Sequence, residues 1–400
     1  MFYRVRTGSG WLLSICTITH VFVHVFTMMH IALIPVLMEE FKLSIYEAGL
    51  LVSIPRAISI LASLPYGLIA DRVDPRKLIA LSLLTTGFSG LSASHSWNFV
   101  TLLASISFIP LSSTIYHPPA LKIVSETFPN ERQSKALGIH GAGGTMGVAI
   151  GPVTLGLMLD KFGWRFSYLV WCIPVILSAL LTYTLPRVET TVEAESTGEE
   201  SSPNPAVNRD KGLTAALRRI ERGYLLLLMA MGINSMGQQA LSAYMTTYLV
   251  SVRGISESNA SLLFGLNPFI GILGSLVGGY LSSKLGSKNW LFIAYISRVF
   301  VYSGIWLSPF WMLVPIYLTG GFFGGSTLAP STTLVAIYSP RKRRGLAYTI
   351  FMLLPSLVGS VSPLIAAWLI ETYDITGLFP FAMALTFSSA LVLQTLPKRK

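Results

Sequence analysis

Runs of about twenty mainly apolar residues, parted by short polar interruptions, recur along this chain from residue 11 to residue 396. A helix needs ~20 apolar residues to cross ~30 Å of hydrocarbon. Only helices and closed barrels satisfy their backbone there, and these runs are far too long for barrel strands. The pattern therefore predicts an all-α polytopic membrane protein. Its twelve spans are 11–38, 45–70, 77–95, 98–124, 134–160, 164–185, 223–252, 258–283, 289–308, 311–339, 343–371 and 375–396. Several exceed the minimum, which permits tilt or extension past the bilayer. The first run is too long for a signal-peptide core and no small-residue cleavage site follows it, so it is expected to be retained.

One long polar segment, 187–222, divides the spans six and six. It opens acidic ("VETTVEAESTGEESSPNPAVNRD") and closes basic ("KGLTAALRRIERG"). The first part has too little apolar content to fold alone and reads as a linker. The second has the makings of a short helix on the membrane surface. The predicted organisation is a six-helix bundle over 1–186, a cytoplasmic linker over 187–222 and a second bundle over 223–400. The halves resemble one another at an offset of 212: "ISILASLPYGL" (58–68) aligns with "IGILGSLVGGY" (270–280), and Pro118 with Pro330. Parallel repeats about an axis along the membrane normal, with a midplane site between them, describe a rocking transporter.

Charge refines this picture. Only 12% of the residues are charged, against roughly 25% in an average soluble domain. The net charge of +11 suggests nucleic acid until the positions are examined. With the N-terminus inside, 23 Lys and Arg fall on inner loops, tails and span ends, 4 on outer loops and span ends, and 2, Arg56 and Arg298, deep within spans. That is the positive-inside signature, and it places both termini in the cytoplasm of a plasma-membrane protein. Basic loops then meet membrane lipid, not nucleic acid. Cys16 and Cys172 both lie in spans, so neither a disulfide scaffold nor a metal motif is suggested.

The most charged interruption is "GLIADRVDPRK", residues 67–77, between spans 2 and 3. It resembles the loop 2–3 signature of the major facilitator superfamily, with Asp74 where a second Gly is usual. "GVAIGPVTLG" (147–156), containing Gly151 and Pro152, resembles the Gly-Pro signature of span 5 found mainly in the family's antiporters. "IPVLMEEFKLSIYEAGLL" resembles its span 1 to span 2 passage. "THVFVH" (19–24) and "YHPPALKIVSE" (116–126) are similar to the fosmidomycin-resistance-like branch. The resemblance implies two six-helix bundles related by a pseudo-two-fold axis and transport by alternating access. It also implies an inner gate. Asp71, at the end of the span that carries Gly67, would meet the start of span 11 near Arg341, with Arg132 as a further partner. Arg72 and Arg76 would anchor the loop to lipid. Glycine-rich span 5 would pack on glycine-rich span 8 across the halves, since small residues allow close approach.

No Asp or Glu falls mid-membrane in these spans, and the family's span 4 arginine has no counterpart. What lies there is basic or titratable. Arg56 sits roughly 16 Å from the outer end of span 2 at 1.5 Å per residue. His24 comes to a similar depth in span 1, so the two are expected to meet if their helices are neighbours. His20 shares a face with His24. His30 lies nearer the outer mouth, and His117 and His140 fall in the inner thirds of spans 4 and 5. A buried Arg costs at least ~2.5–3.5 kcal/mol, so an idle one is not expected.

The expected substrate contacts are Arg56, His24, His20, Asn234, Gln238, Asn267 and Arg298. The expected proton carriers are His24, His20 and His140, whose imidazoles titrate near pH 6.5 when unperturbed. The plain alternative for each is packing: a satisfied core histidine, a snorkelling arginine or an ordinary helix–helix amide. The expected function is proton-coupled export of a small anionic or polar organic solute by a monomeric secondary transporter. Organic-anion uptake by symport or exchange is the second reading, and a non-transporting membrane sensor the third. A membrane enzyme would need a clustered nucleophile, metal or acid–base set that the sequence does not present. No cofactor, metal or ATP site is expected.

Overall fold

The computed structural model describes residues 9–70, 73–128, 131–185, 222–339 and 344–397, and no strand occurs among them. In chain order the helices are α1 (Ser9–His24), α2 (Met29–Ala32), α3 (Ile34–Phe41), α4 (Ile45–Ala70), α5 (Pro75–Ser94), α6 (Phe99–Thr127), α7 (Glu131–Leu181), α8 (Arg222–Ala243), α9 (Met245–Ser251), α10 (Glu257–Leu285), α11 (Ser287–Leu307), α12 (Phe310–Gly325), α13 (Leu328–Tyr338), α14 (Arg344–Tyr373) and α15 (Leu378–Gln394). Among the described residues nine stretches are long and apolar enough to cross a membrane. One of them, Lys135–Thr184, contains two passes, because Gly163 at φ +74° turns the chain within α7. A side chain there would be strained, and glycine is not. The α5 and α8–α9 passes complete the twelve predicted crossings. The lower apolar content of α5 has a local cause, since its polar side chains are spent on α6. Ser82 donates to the Ser112 carbonyl at 2.7 Å, and Thr86 pairs with the Ser112 hydroxyl at 2.7 Å.

We label as inner the face that carries Asp74, Leu185, Gly286 and Ser339, and as outer the face that carries Lys42, Ser96, Phe162, Gly254, Ser308 and Asp374. At the inner face Asp74 accounts for its own departure from the glycine pattern. It is the N-cap of α5, accepting the Arg76 N–H at 3.0 Å just ahead of Pro75 at the first helical position. Arg76, expected to anchor in lipid, folds back to pair with the Asp74 carboxylate at 2.9 Å. The hydrogen bonds from Asp74 raise the Arg76 pKa further. Asp71, Arg72 and Arg341 lie outside the described residues, as does the 186–221 segment that holds nearly all of the expected linker. Arg132 is exposed in the first turn of α7, and Gly67 lies within α4.

The contacts between the two sets of helices gather at the outer ends. The first span is not one helix: it breaks at residues 25–28 and again at Leu33. Pro35, in the first turn of α3, lacks the N–H that would bond the Ile31 carbonyl. That carbonyl accepts instead from Thr246 Oγ1 at 3.1 Å, across the seam. The next one, of Ala32, accepts from Ser261 Oγ at 3.3 Å. Tyr244, at the α8–α9 break, donates toward the Ile45 and Pro363 carbonyls at 2.8 and 3.2 Å. Ser258 donates to Asp160 at the outer rim. Near the inner end of α7, a Cβ added at Gly138 or Gly141 would meet nothing within 4 Å. Among the described residues, the hydrogen bonds of Tyr244, Thr246, Ser258 and Ser261 join the two sets at the outer face.

The glycines of span 5 divide differently from expectation. Gly143, Gly144, Gly147 and Gly151 press against Thr17, His20, Val21 and Val25 of the first span, within the same half. Only Gly156 meets α10, at Ser258 and Leu262, and Gly265 meets Ala149 and Val153 in return. The other α10 glycines, Gly271, Gly274 and Gly278, press on α12 and the turn after it, at Gly321, Phe322 and Ser326. A helix has several faces, and glycine spacing alone does not say which neighbour each face receives. Gly151 thus belongs to the contact of α7 with the first span, under the Val25 carbonyl, and Pro152 follows it within α7.

Candidate functional site

Four histidines gather in the first half, His20 and His140 buried and His24 and His117 half-buried. Tyr116 sets them in place. Fully buried on α6, it donates its hydroxyl to the Cys16 carbonyl at 2.7 Å and pairs with Thr19 at 2.8 Å. That clamps α6 to α1 and brings His117, the next residue, beside His20 and His24, with ring centroids 5.1 and 5.3 Å away. Pro119 removes another N–H, and the freed Ile115 carbonyl accepts from Tyr66 of α4 at 2.6 Å. The glycine row lets α7 approach α1, and the His140 ring stacks on His20 at 4.2 Å and 15°. His20 Nδ1 lies 2.7 Å from the His140 carbonyl oxygen. A carbonyl only accepts, so Nδ1 carries the hydrogen, and in the neutral ring Nε2 presents a lone pair. That Nε2 is buried with no partner among the described residues. His24 holds Thr27 at 3.2 Å through Nδ1, at the point where α1 ends.

Counting from helix ends placed His24 beside Arg56 and left His117 and His140 lower. The structure gathers His20, His24, His117 and His140 at one level and sets Arg56 within electrostatic range of His30. The reason is length. α6 and the first arm of α7 are longer than a bilayer crossing needs, so counting from their ends does not fix the depth of either histidine. Arg56 is half-buried on α4, and its guanidinium makes no hydrogen bond or ion pair with any described residue.

The second half holds a polar cluster of another kind. Arg298 is only 3% exposed; it donates to Asn234 Oδ1 at 3.3 Å and to the Tyr302 hydroxyl, and it lies 5.3 Å from the Tyr302 ring centre. Asn234 is buried at 6%. Gln238 is exposed one turn away. Asn267 is committed to helix packing, donating to the Tyr317 carbonyl at 2.9 Å. Two participants, Tyr116 and Tyr302, were not singled out from the sequence. Tyr302 sits four residues after Arg298, on one helical face, which was a readable signal. Tyr116 adjoins His117 and Pro118 but carries no pattern that separates it from a packing aromatic.

A broken first span, two helix sets joined at the outer face and twelve crossings describe a known architecture. The family model described as Major Facilitator Superfamily matches residues 16–319. The chain belongs to the Major Facilitator Superfamily. Among members of this superfamily, it is similar to monocarboxylate transporter 12 of Rattus norvegicus, with 28% identity over 79% of this chain and 69% of that protein. It is also similar to the riboflavin transporter RibZ of Clostridioides difficile (strain 630), with 24% identity over 78% and 77%. Its fold matches a bacterial homologue of the human lysosomal transporter Spinster, solved inward-facing and unoccupied, with a TM-score of 0.77 and 18% identity over 98% of each chain. The superfamily places this chain among multi-pass membrane transporters of small molecules, and its fold is the all-α one expected.

Proposed function

We propose that this chain moves a small anionic or polar organic solute by alternating access, with Arg56 as the principal solute contact. The observation that carries the reading is Arg56 itself: a guanidinium deep in α4 with no acid partner among the described residues. A charge kept in such a place is costly unless a ligand or water meets it. Arg presents a planar donor fork suited to a carboxylate. The imidazole wall adds donors and acceptors without a fixed negative charge. One relative is named for monocarboxylates and another for riboflavin, which are an acid class and a polar heterocycle. The finer parts of the proposal are export, coupling to protons, operation as a monomer in the plasma membrane and a second contact at Gln238. Coupling to protons is expected to run through His20, His24 and His140.

The test is solute flux in proteoliposomes under imposed pH gradients, with monocarboxylates, dicarboxylates, riboflavin and lipophilic cations. Anion or polar-solute flux that responds to the gradient and collapses in Arg56→Ala supports the reading. Cation flux indifferent to Arg56→Ala overturns it.

A further inference from the structure

We propose that His20, His24 and His117 form a binding site for a borderline transition-metal dication of the Zn²⁺ class. One ring nitrogen from each lies within 4.8 Å of those of the other two. His20 and His24 stand four apart on one face of α1, and His117 comes from α6. Four features of the geometry favour a metal over a plain aromatic stack.

First, His20 is pre-set. Its Nδ1–H donates to the His140 carbonyl at 2.7 Å, which fixes the ring and the tautomer and leaves Nε2 bare. A ligating histidine commonly has its other ring nitrogen held by a backbone carbonyl in this way. Second, that Nε2 is buried and unpartnered among the described residues, so a coordinating ion would satisfy it. Third, His24 and His117 are half-buried, which leaves an approach and an open fourth position for water or an anion. Fourth, the donor set is selective. Imidazoles without carboxylates suit Zn²⁺, Cu²⁺ or Ni²⁺ and not Mg²⁺ or Ca²⁺. Zn–N bonds are about 2.0–2.1 Å, so tetrahedral binding needs ring nitrogens roughly 3.3 Å apart. Rotation of the His24 and His117 side chains would bring nitrogens now within 4.8 Å toward that spacing with His20 held.

His140 is not a fourth ligand. Its ring lies nearly parallel to His20, and in-plane lone pairs on stacked rings do not converge on one ion. It acts as a positioning residue through its carbonyl. The site depends on ring geometry and not on which solute the chain carries, so it stands apart from the transport reading.

The test is Zn²⁺ titration of the full chain, purified in detergent without a histidine tag, against a chromophoric chelator. One ion per chain is expected, undisplaced by a thousandfold excess of Mg²⁺. His24→Gln and His117→Gln keep a polar side chain, and each should weaken Zn²⁺ at least tenfold while His30→Ala and His95→Ala leave it unchanged. Cu²⁺ loading read by pulsed EPR should give couplings to three imidazoles, falling to two in either Gln variant. That signature does not move if the histidines only pack. Binding that survives both Gln variants, weakens equally in His30→Ala, or totals well under one ion per chain overturns the site. Intact Zn²⁺ binding with no anion flux would count against the transport reading alone.

Discussion

Each half carries an arginine inside a span, Arg56 half-buried and Arg298 buried, and the two are used in different ways. In the second half Arg298 is only 3% exposed, and two of its donors are held by Asn234 and Tyr302. In the first half Arg56 and the ring nitrogens of the histidine cluster keep valences that no described residue fills. A buried polar group normally finds its partner within the fold, since an unmade bond costs about 1–3 kcal/mol. Where several remain unmade together in one half, the missing partner is something that arrives and leaves. Buried polarity is therefore a poor guide to a binding site, and unspent polarity a better one.

The contrast is easiest to break at the arginines. Arg56→Ala should weaken half-saturation for the carried solute by roughly 10–100-fold, the value of a charge-assisted hydrogen bond or two. Arg298→Met should leave that value within about threefold and change the melting temperature instead. Either outcome reversed would place the solute in the second half. Next come the glycines that hold the histidine wall. A Cβ at Gly144 would meet the His20 ring at 2.6 Å, while one at Gly141 meets nothing. Gly144→Ala should destabilise the protein by about 1–3 kcal/mol in thermal unfolding, and Gly141→Ala should be near neutral. Equal effects would mean that the α1–α7 approach does not position the cluster.

At the seam, Tyr244→Phe removes both carbonyl bonds and should favour outward opening by about 0.5–1.5 kcal/mol. Distances between spin labels at positions 42 and 253 would lengthen on average. Unchanged distances would show that the outer closure rests on packing. The smallest effect is expected at the rim. Asp74→Asn keeps a capping oxygen and should cost only a few tenths of a kcal/mol, against about 1 kcal/mol for Asp74→Ala. Transport should be unaffected in both, which makes them controls for the arginine variants.

The crossings were legible because hydrocarbon thickness imposes a length on apolar runs, and no tertiary contact changes it. Arg56 was legible for a related reason, since a charge within such a run is conspicuous. The histidine level was not. It depends on how far α6 and α7 overshoot the bilayer and on where α1 stops, and both are set by neighbours. The breaks after His24 and at Leu33 carry no proline at the break itself; Pro35 lies two residues past the second. Glycine rows announced close packing correctly and named the wrong partner for four of the positions, since spacing on one helix holds no record of the helix that faces it. Asp74 seemed a flaw in a loop signature and serves as the cap of the next helix.

Pro35 has no N–H to offer the opposite half, yet it decides what the opposite half may hold. By withholding one hydrogen it hands the oxygen of residue 31 to Thr246, whatever side chain residue 31 carries. Substitution at 31 cannot withdraw that handhold; restoring the missing hydrogen, as in Pro35→Ala, can, by offering the oxygen a rival at home. The grip of one bundle on the other is thus written at a position that a map of touching side chains would pass over.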